Sequence, residues 1–247
     1  MKTSGNTILI TGASAGIGQQ LAWRWSEAGN TVIATARSQK GLEETAKGRD
    51  RIHPRVLDVT DPEAVADFAR GVVAEFPALN VLVNNAGIMR LEDAAAARDL
   101  ADDEDMITTN ILGPLRMTNA LVDHLRTAPD AAIVNVTSGL AYVPSVRGAV
   151  YSATKAAARS WTDSLRFALK DAVEVIELAP PGVQTGLTPG QSTREGYMPL
   201  DEYIDEVMGL FAQVPTPPVI AVQRVVPLRA TIDQEKYDAV FAALNAG

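Results

Sequence analysis

No cysteine occurs anywhere in the 247 residues. Disulfides, thiol nucleophiles and cysteine-based metal sites are therefore excluded. Histidine is nearly as scarce. His53 and His124 are the only two, too far apart in sequence to suggest a metal site, and none is expected. Long apolar runs are missing as well. No stretch reaches the length of a membrane span, and the polar opening from Met1 to Thr7 has no signal-peptide hydrophobic region. A cytoplasmic protein with no membrane partner is the expectation. Positive charge is in deficit too. The formal net charge is −8 with acids and bases interspersed, which argues against nucleic acid as a main partner. Aromatic residues make up only 5% while hydrophobic residues make up 47%, so the apolar content is mostly aliphatic. That suits the well-buried core of an α/β protein.

What is present alternates regularly. Thr7 to Thr11 is a short run rich in β-branched residues and reads as a strand buried on both faces. Gly12-Ala-Ser-Ala-Gly16-Ile-Gly18 follows, then a helix from Gln19 to Ala28 stopped by Gly29. Strand, glycine-rich turn and helix are the context of a phosphate-binding loop, where backbone N–H groups and a helix N-terminus face an anion. The spacing is Gly-x3-Gly-x-Gly rather than G-x-G-x-x-G. Further strands read at Thr31 to Thr35, His53 to Leu57, Val81 to Val83, Ala131 to Thr137, Val173 to Ala179 and Val219 to Val222. Helices read at Gly41 to Lys47, Asp61 to Phe76, Glu104 to Arg126, Val150 to Leu169, Asp201 to Gln213 and Asp233 to Asn245. No linker, repeat or low-complexity tract interrupts them. The pattern predicts one doubly wound domain over residues 1–247, with a substrate lid around 186–213.

In such a sheet, ligands bind at the carboxyl ends of the strands. Gly12, Ala36, Asp58, Asn84, Ser138 and Pro180 each fall just after a strand. After the second strand an acid would bind a ribose 2′-hydroxyl. Here Ala36 and Arg37 stand instead, and Arg37 offers a fork for a 2′-phosphate, or is simply a solvated loop charge. Ser38 could add a hydroxyl. Asp58 either accepts from an adenine amino group or caps the next helix. The amides of Asn84 and its neighbour Asn85 either tie loops together or contact a ribose. Asn110 is a poor interior helix residue and implies a bend or a polar role. Tyr151 and Lys155 are four apart, so a helix stacks them on one face. An ammonium there is expected to favour phenolate and lower the Tyr151 pKa, tuning a proton donor and acceptor.

Taken in order, Thr11-Gly-Ala-Ser-Ala-Gly-Ile-Gly18, Asn84-Asn-Ala-Gly87, Asn110, Ser138 and Tyr151-x3-Lys155 resemble the short-chain dehydrogenase/reductase family in its single-domain form. The resemblance runs from Thr7 to about Leu187. The opening and Leu178-Ala-Pro-Pro181 are similar to a DltE-like subgroup. The resemblance implies a Rossmann fold with strand order 3-2-1-4-5-6-7. It implies Tyr151 as acid or base, Ser138 on the substrate oxygen, Lys155 on the nicotinamide ribose, and Asn110 bending its helix and holding a relay water. Gly12, Ser14, Ile17 and Gly18 would surround the pyrophosphate and ribose. Arg37 would hold the 2′-phosphate, Asp58 and Val59 the adenine, and Asn84, Ala86 and Gly87 the adenine-side ribose and sheet edge. Val183 and Thr185 would meet the nicotinamide carboxamide and phosphate. Two departures stand out. Pro181 occupies the usual glycine position beside the nicotinamide, and Pro215 to Leu228 replaces a glycine-rich ending.

The expected function is an NADP(H)-dependent carbonyl reductase or alcohol dehydrogenase, with NAD(H) second, acting on a small carbonyl or alcohol. Leu140, Tyr142, Val143, Leu187, Tyr197 and Met198 are candidates for an apolar substrate wall. The alternatives are a non-catalytic NADP(H) sensor and a cell-wall-related accessory protein. Small residues Ala153, Ala156, Ala157 and Ala158 on the helix of Tyr151 suggest helix packing between subunits, so a homodimer or homotetramer is expected.

Overall fold

A computed structural model describes residues 1–231. The helix expected at 233–245 lies outside the described residues. Seven parallel strands form one sheet in the order β3-β2-β1-β4-β5-β6-β7, as the resemblance implied. They are β1 (Thr7–Thr11), β2 (Thr31–Ala36), β3 (Ile52–Val56), β4 (Leu79–Asn84), β5 (Ala132–Val136), β6 (Glu174–Ala179) and β7 (Val219–Ala221). The helices between them are α1 (Gly16–Glu27), α2 (Gln39–Ala46), α3 (Pro62–Glu75), α4 (Ala101–Ile107), α5 (Gly113–Leu125), α6 (Ala149–Leu169) and α7 (Leu200–Phe211), with a short α8 (Val226–Arg229) after β7.

Strand periodicity divides the core in two. In β1, Ile8 and Ile10 join Trp25, Leu42, Tyr203 and Phe211 under α1, α2 and α7. Leu9, between them, points to the opposite face and packs with Val65, Met117, Leu121 and Leu169 under α3, α5 and α6. Each fully buried Leu or Ile contributes about 1.5–3 kcal/mol. Both faces are covered, which is why the central strands are apolar throughout rather than alternating.

Local signals set the boundaries. Asp61 caps α3, its carboxylate accepting from the N–H groups of Glu63 and Ala64 at 3.0 Å, and Pro62 takes the first turn. The helix expected from Glu104 to Arg126 begins earlier, at Ala101, and is divided. Residues Thr108–Leu112 form a π turn between α4 and α5, with Asn110 inside it. A wide turn of this kind is a common device at functional sites. The third strand begins one residue earlier than expected, at Ile52, because it pairs with Val32.

Candidate active site

The strand ends do converge. The loops after β1, β2, β3, β4, β5 and β6 line one cavity of about 610 Å³. Gly12, Ser14, Ile17, Gly18, Arg37, Asp58, Val59, Ala86, Gly87, Ser138, Tyr151, Lys155, Pro181, Val183 and Thr185 all lie on its wall.

The glycine loop is a cradle that no larger residue fits. Gly12 has φ +68°, and a Cβ there would stand 2.8 Å from Cα of Ala86. A Cβ on Gly18 would stand 2.4 Å from Nδ2 of Asn85 and 2.5 Å from the Gly12 carbonyl oxygen. Behind the loop, α1 opens on Ala15 with no side-chain cap and no acid in its first turn. Its leading N–H groups and dipole are left to the cavity. These features fit the pyrophosphate of a dinucleotide.

Along the adenine side, Arg37 is exposed at the end of β2. Ser38 caps α2, accepting from Gly41 N at 3.1 Å. Asp58 does not cap α3. Its Oδ1 accepts from the Thr60 N–H at 2.9 Å and the Thr60 hydroxyl at 2.7 Å, holding the turn at the cavity wall.

Asn84 requires a correction, because it does not reach the cavity. The last residue of β4, it turns into the sheet's interior, where Nδ2 donates to Asn135 Oδ1 at 2.8 Å and Thr118 Oγ1 at 3.2 Å. Strand alternation sends the next residue the other way. Asn85 lines the cavity and clamps the glycine loop, donating to the carbonyls of Thr11 at 2.8 Å and Gly12 at 3.1 Å.

At the other end, Tyr151 and Lys155 are both buried on α6. The Lys155 ammonium donates to the Val136 carbonyl at 2.8 Å and lies 5.7 Å from the Tyr151 ring centroid. Ser138, at the end of β5, accepts from Leu140 N at 3.1 Å, and its hydroxyl is hydrogen-bonded to that of Tyr151. Asn110 stands one layer behind. Its amide exchanges two 2.9 Å bonds with the backbone of Ile88 and donates to Thr154 Oγ1 at 3.1 Å. Gly87 leaves the gap between them, since a Cβ there would stand 3.3 Å from Asn110 Oδ1 and 3.5 Å from Lys155 Nζ.

The expected lowering of the Tyr151 pKa by Lys155 is not what burial produces. Desolvation pushes the Tyr151 phenol up to about 12, opposed by the Ser138 hydrogen bond. The same desolvation lowers Lys155 to about 8. Removing water penalises phenolate and ammonium alike.

Only Leu187 of the six substrate-wall candidates lines the cavity. Met198 is core, because residues 182–184 pair with it through Gln184 N to Met198 O at 2.9 Å and Met198 N to Gly182 O at 2.8 Å. Tyr197 packs over Gly182, and Tyr142 turns inward to Glu177. Gln191, which no motif flagged, is buried on the cavity wall. Its amide donates to the Val183 carbonyl at 2.8 Å and Thr185 Oγ1 at 3.1 Å, fastening the lid to the loop after β6.

Known proteins agree with this geometry. The family described as short chain dehydrogenase matches residues 6–196. The chain belongs to the short-chain dehydrogenase family. Within it, the chain is similar to the uncharacterized oxidoreductase DltE of Bacillus subtilis, with 44% identity over 198 residues, covering 79% of either chain. A short chain dehydrogenase from Burkholderia cenocepacia, solved with NADP, superposes with a TM-score of 0.80 at 26% identity, covering 97% of this chain and 98% of that one. A 3-ketoacyl-(acyl-carrier-protein) reductase from Brucella melitensis, solved with NADH, gives 0.78 at 25% identity, covering 88% of this chain and 96% of that one. The protein is thus an oxidoreductase of a family that uses a nicotinamide cofactor, with a Rossmann fold and a small-molecule substrate.

Proposed function

We propose that the protein is a carbonyl reductase and alcohol dehydrogenase that prefers NADP(H) to NAD(H). The observation carrying this reading is the meeting of Ser138, Tyr151 and Lys155 on the wall of the cavity that also holds the glycine cradle. When bound, the nicotinamide supplies or accepts the hydride. Tyr151 donates its proton to the substrate oxygen, or takes one from an alcohol. Ser138 hydrogen-bonds the same oxygen and the alkoxide developing on it. Lys155 holds the nicotinamide ribose, and Asn110 bends its helix and holds the water that passes the proton onward. Val183 and Thr185 face the carboxamide side, beside Pro181. A phenol lifted to about 12 stays protonated at neutral pH, which favours proton donation and hence reduction.

The cofactor preference rests on Arg37. No acid closes β2, and an exposed guanidinium at its end matches a 2′-phosphate. Asp58 and Val59 take the adenine, and Ala86 and Gly87 the adjoining ribose. The whole chain acts as one domain with its lid over 186–213. It assembles as a homodimer or homotetramer through the exposed Leu91, Leu100, Ile107 and Leu112 near the small-residue face of α6.

Tyr151→Phe tests the reading. The variant is expected to bind NADPH as wild type does and to reduce no ketone. If wild type binds NADPH yet oxidises none across a broad carbonyl panel, the protein is a sensor and the enzyme reading falls.

A further inference from the structure

Glu177, on β6, is a carboxylate with 1% exposure that the hydride-transfer chemistry leaves unused. A buried acid demands partners. Its Oε1 accepts the Thr137 hydroxyl at 2.6 Å and the Tyr142 hydroxyl at 2.9 Å. These two residues bracket Ser138. Thr137 precedes it, and Tyr142 closes the 3₁₀ turn Gly139–Ala141 that Ser138 opens. One carboxylate oxygen therefore anchors both ends of the segment carrying the hydroxyl that meets Tyr151. The turn's backbone adds Gly139 N to the Pro180 carbonyl at 2.8 Å.

We propose that Glu177 is a positioning residue for Ser138, fixing its hydroxyl against Tyr151 by holding Thr137 and Tyr142 together. This rests on the carbonyl-reduction reading above. The Arg159 guanidinium covers the Tyr142 ring, 5.1 Å from its centroid, and Arg159, Asp163 and Arg229 supply the charges around the pair. Burial holds Glu177 above the usual carboxylate range and raises the Tyr142 phenol further. The cluster is dry, so no water replaces a lost contact cheaply.

Thr137→Val and Tyr142→Phe each delete one hydroxyl and keep the side-chain shape. Each is expected to lower kcat for carbonyl reduction about tenfold, while the NADPH Kd stays within about twofold of wild type. Glu177→Gln retains an acceptor oxygen and is expected to keep most of the activity that Glu177→Leu loses. Crystal structures of Thr137→Val and Tyr142→Phe are expected to show Ser138 displaced from Tyr151. The proposal is overturned if both hydroxyl variants keep the wild-type kcat, if Ser138 is unmoved in their structures, or if Glu177→Gln is as damaged as Glu177→Leu. Should wild type reduce no carbonyl, the functional reading fails by itself, and the position of Ser138 in the crystal structures decides the anchor.

Discussion

Replacing Lys155 by Met should stabilise the fold while abolishing the activity. The ammonium is 5% exposed and meets one backbone carbonyl, that of Val136 at 2.8 Å. Its desolvation lowers the pKa from 10.5 to about 8. At 1.36 kcal/mol per pH unit, carrying the buried charge costs about 3 kcal/mol. Met removes that cost and leaves the Val136 carbonyl without its donor, a loss of about 1 kcal/mol. The net gain is about 2 kcal/mol at pH 7, a rise in Tm of about 4–8 °C for a chain of this size. The pH dependence fixes the cause. A base whose folded-state pKa lies below its unfolded value binds fewer protons when folded, so stability rises with pH across that interval. For Lys155 the full cost applies below about 8 and is gone above 10.5. Tyr151 acts in the opposite sense, its stability contribution being lost only between 10 and about 12. Thermal unfolding of the cofactor-free proteins should therefore show the variant's advantage at pH 7 closing by about pH 9.5. A variant less stable than wild type at pH 7, or a gap that ignores pH, would refute the reasoning.

The remaining predictions concern the cofactor and the lid. Gly18→Ala drives a Cβ to 2.4 Å from Asn85 Nδ2. It should cost about 1–3 kcal/mol in denaturant unfolding and weaken NADPH binding, measured by fluorescence titration. Arg37→Ala should weaken NADPH about tenfold to a hundredfold and leave NADH within about twofold, which parallel titrations would read. A clear NADH preference in wild type contradicts the assignment of Arg37. Gln191→Leu removes the bonds to Val183 and Thr185. It should raise KM and speed amide hydrogen exchange across 183–191, with the core strands unchanged.

The sheet was legible because its signals are local. Apolar runs such as Thr7–Thr11 alternate with capped helices, and Pro62 and Gly29 mark boundaries without tertiary help. Asn110 was legible as an irregularity, and the π turn is the form it takes. The two asparagines after β4 were harder. Both amides occupy the strand's end, and only the phase of the pleat decides that Asn84 faces Thr118 and Asn135 while Asn85 faces the glycine loop. The pKa of Tyr151 was misjudged because i,i+4 spacing reports proximity and not solvation. Burial of the whole helix face outweighs the neighbouring charge. The lid was beyond sequence reasoning. Gln191 meets Val183 eight residues away through an irregular loop, and the pairing of Val183 with Met198 leaves no periodic trace. That pairing also removes Met198 from the substrate wall.

The central claim is hydride transfer to a carbonyl carbon with Tyr151 supplying the proton. Incubating the protein with NADPH deuterated at the transferable position and a carbonyl panel, then analysing the alcohols by mass spectrometry, tests it directly. The account predicts deuterium on the carbinol carbon with wild type and none with Tyr151→Phe. Tight NADPH binding with no label in any product of wild type, or undiminished labelling by Tyr151→Phe, would contradict it.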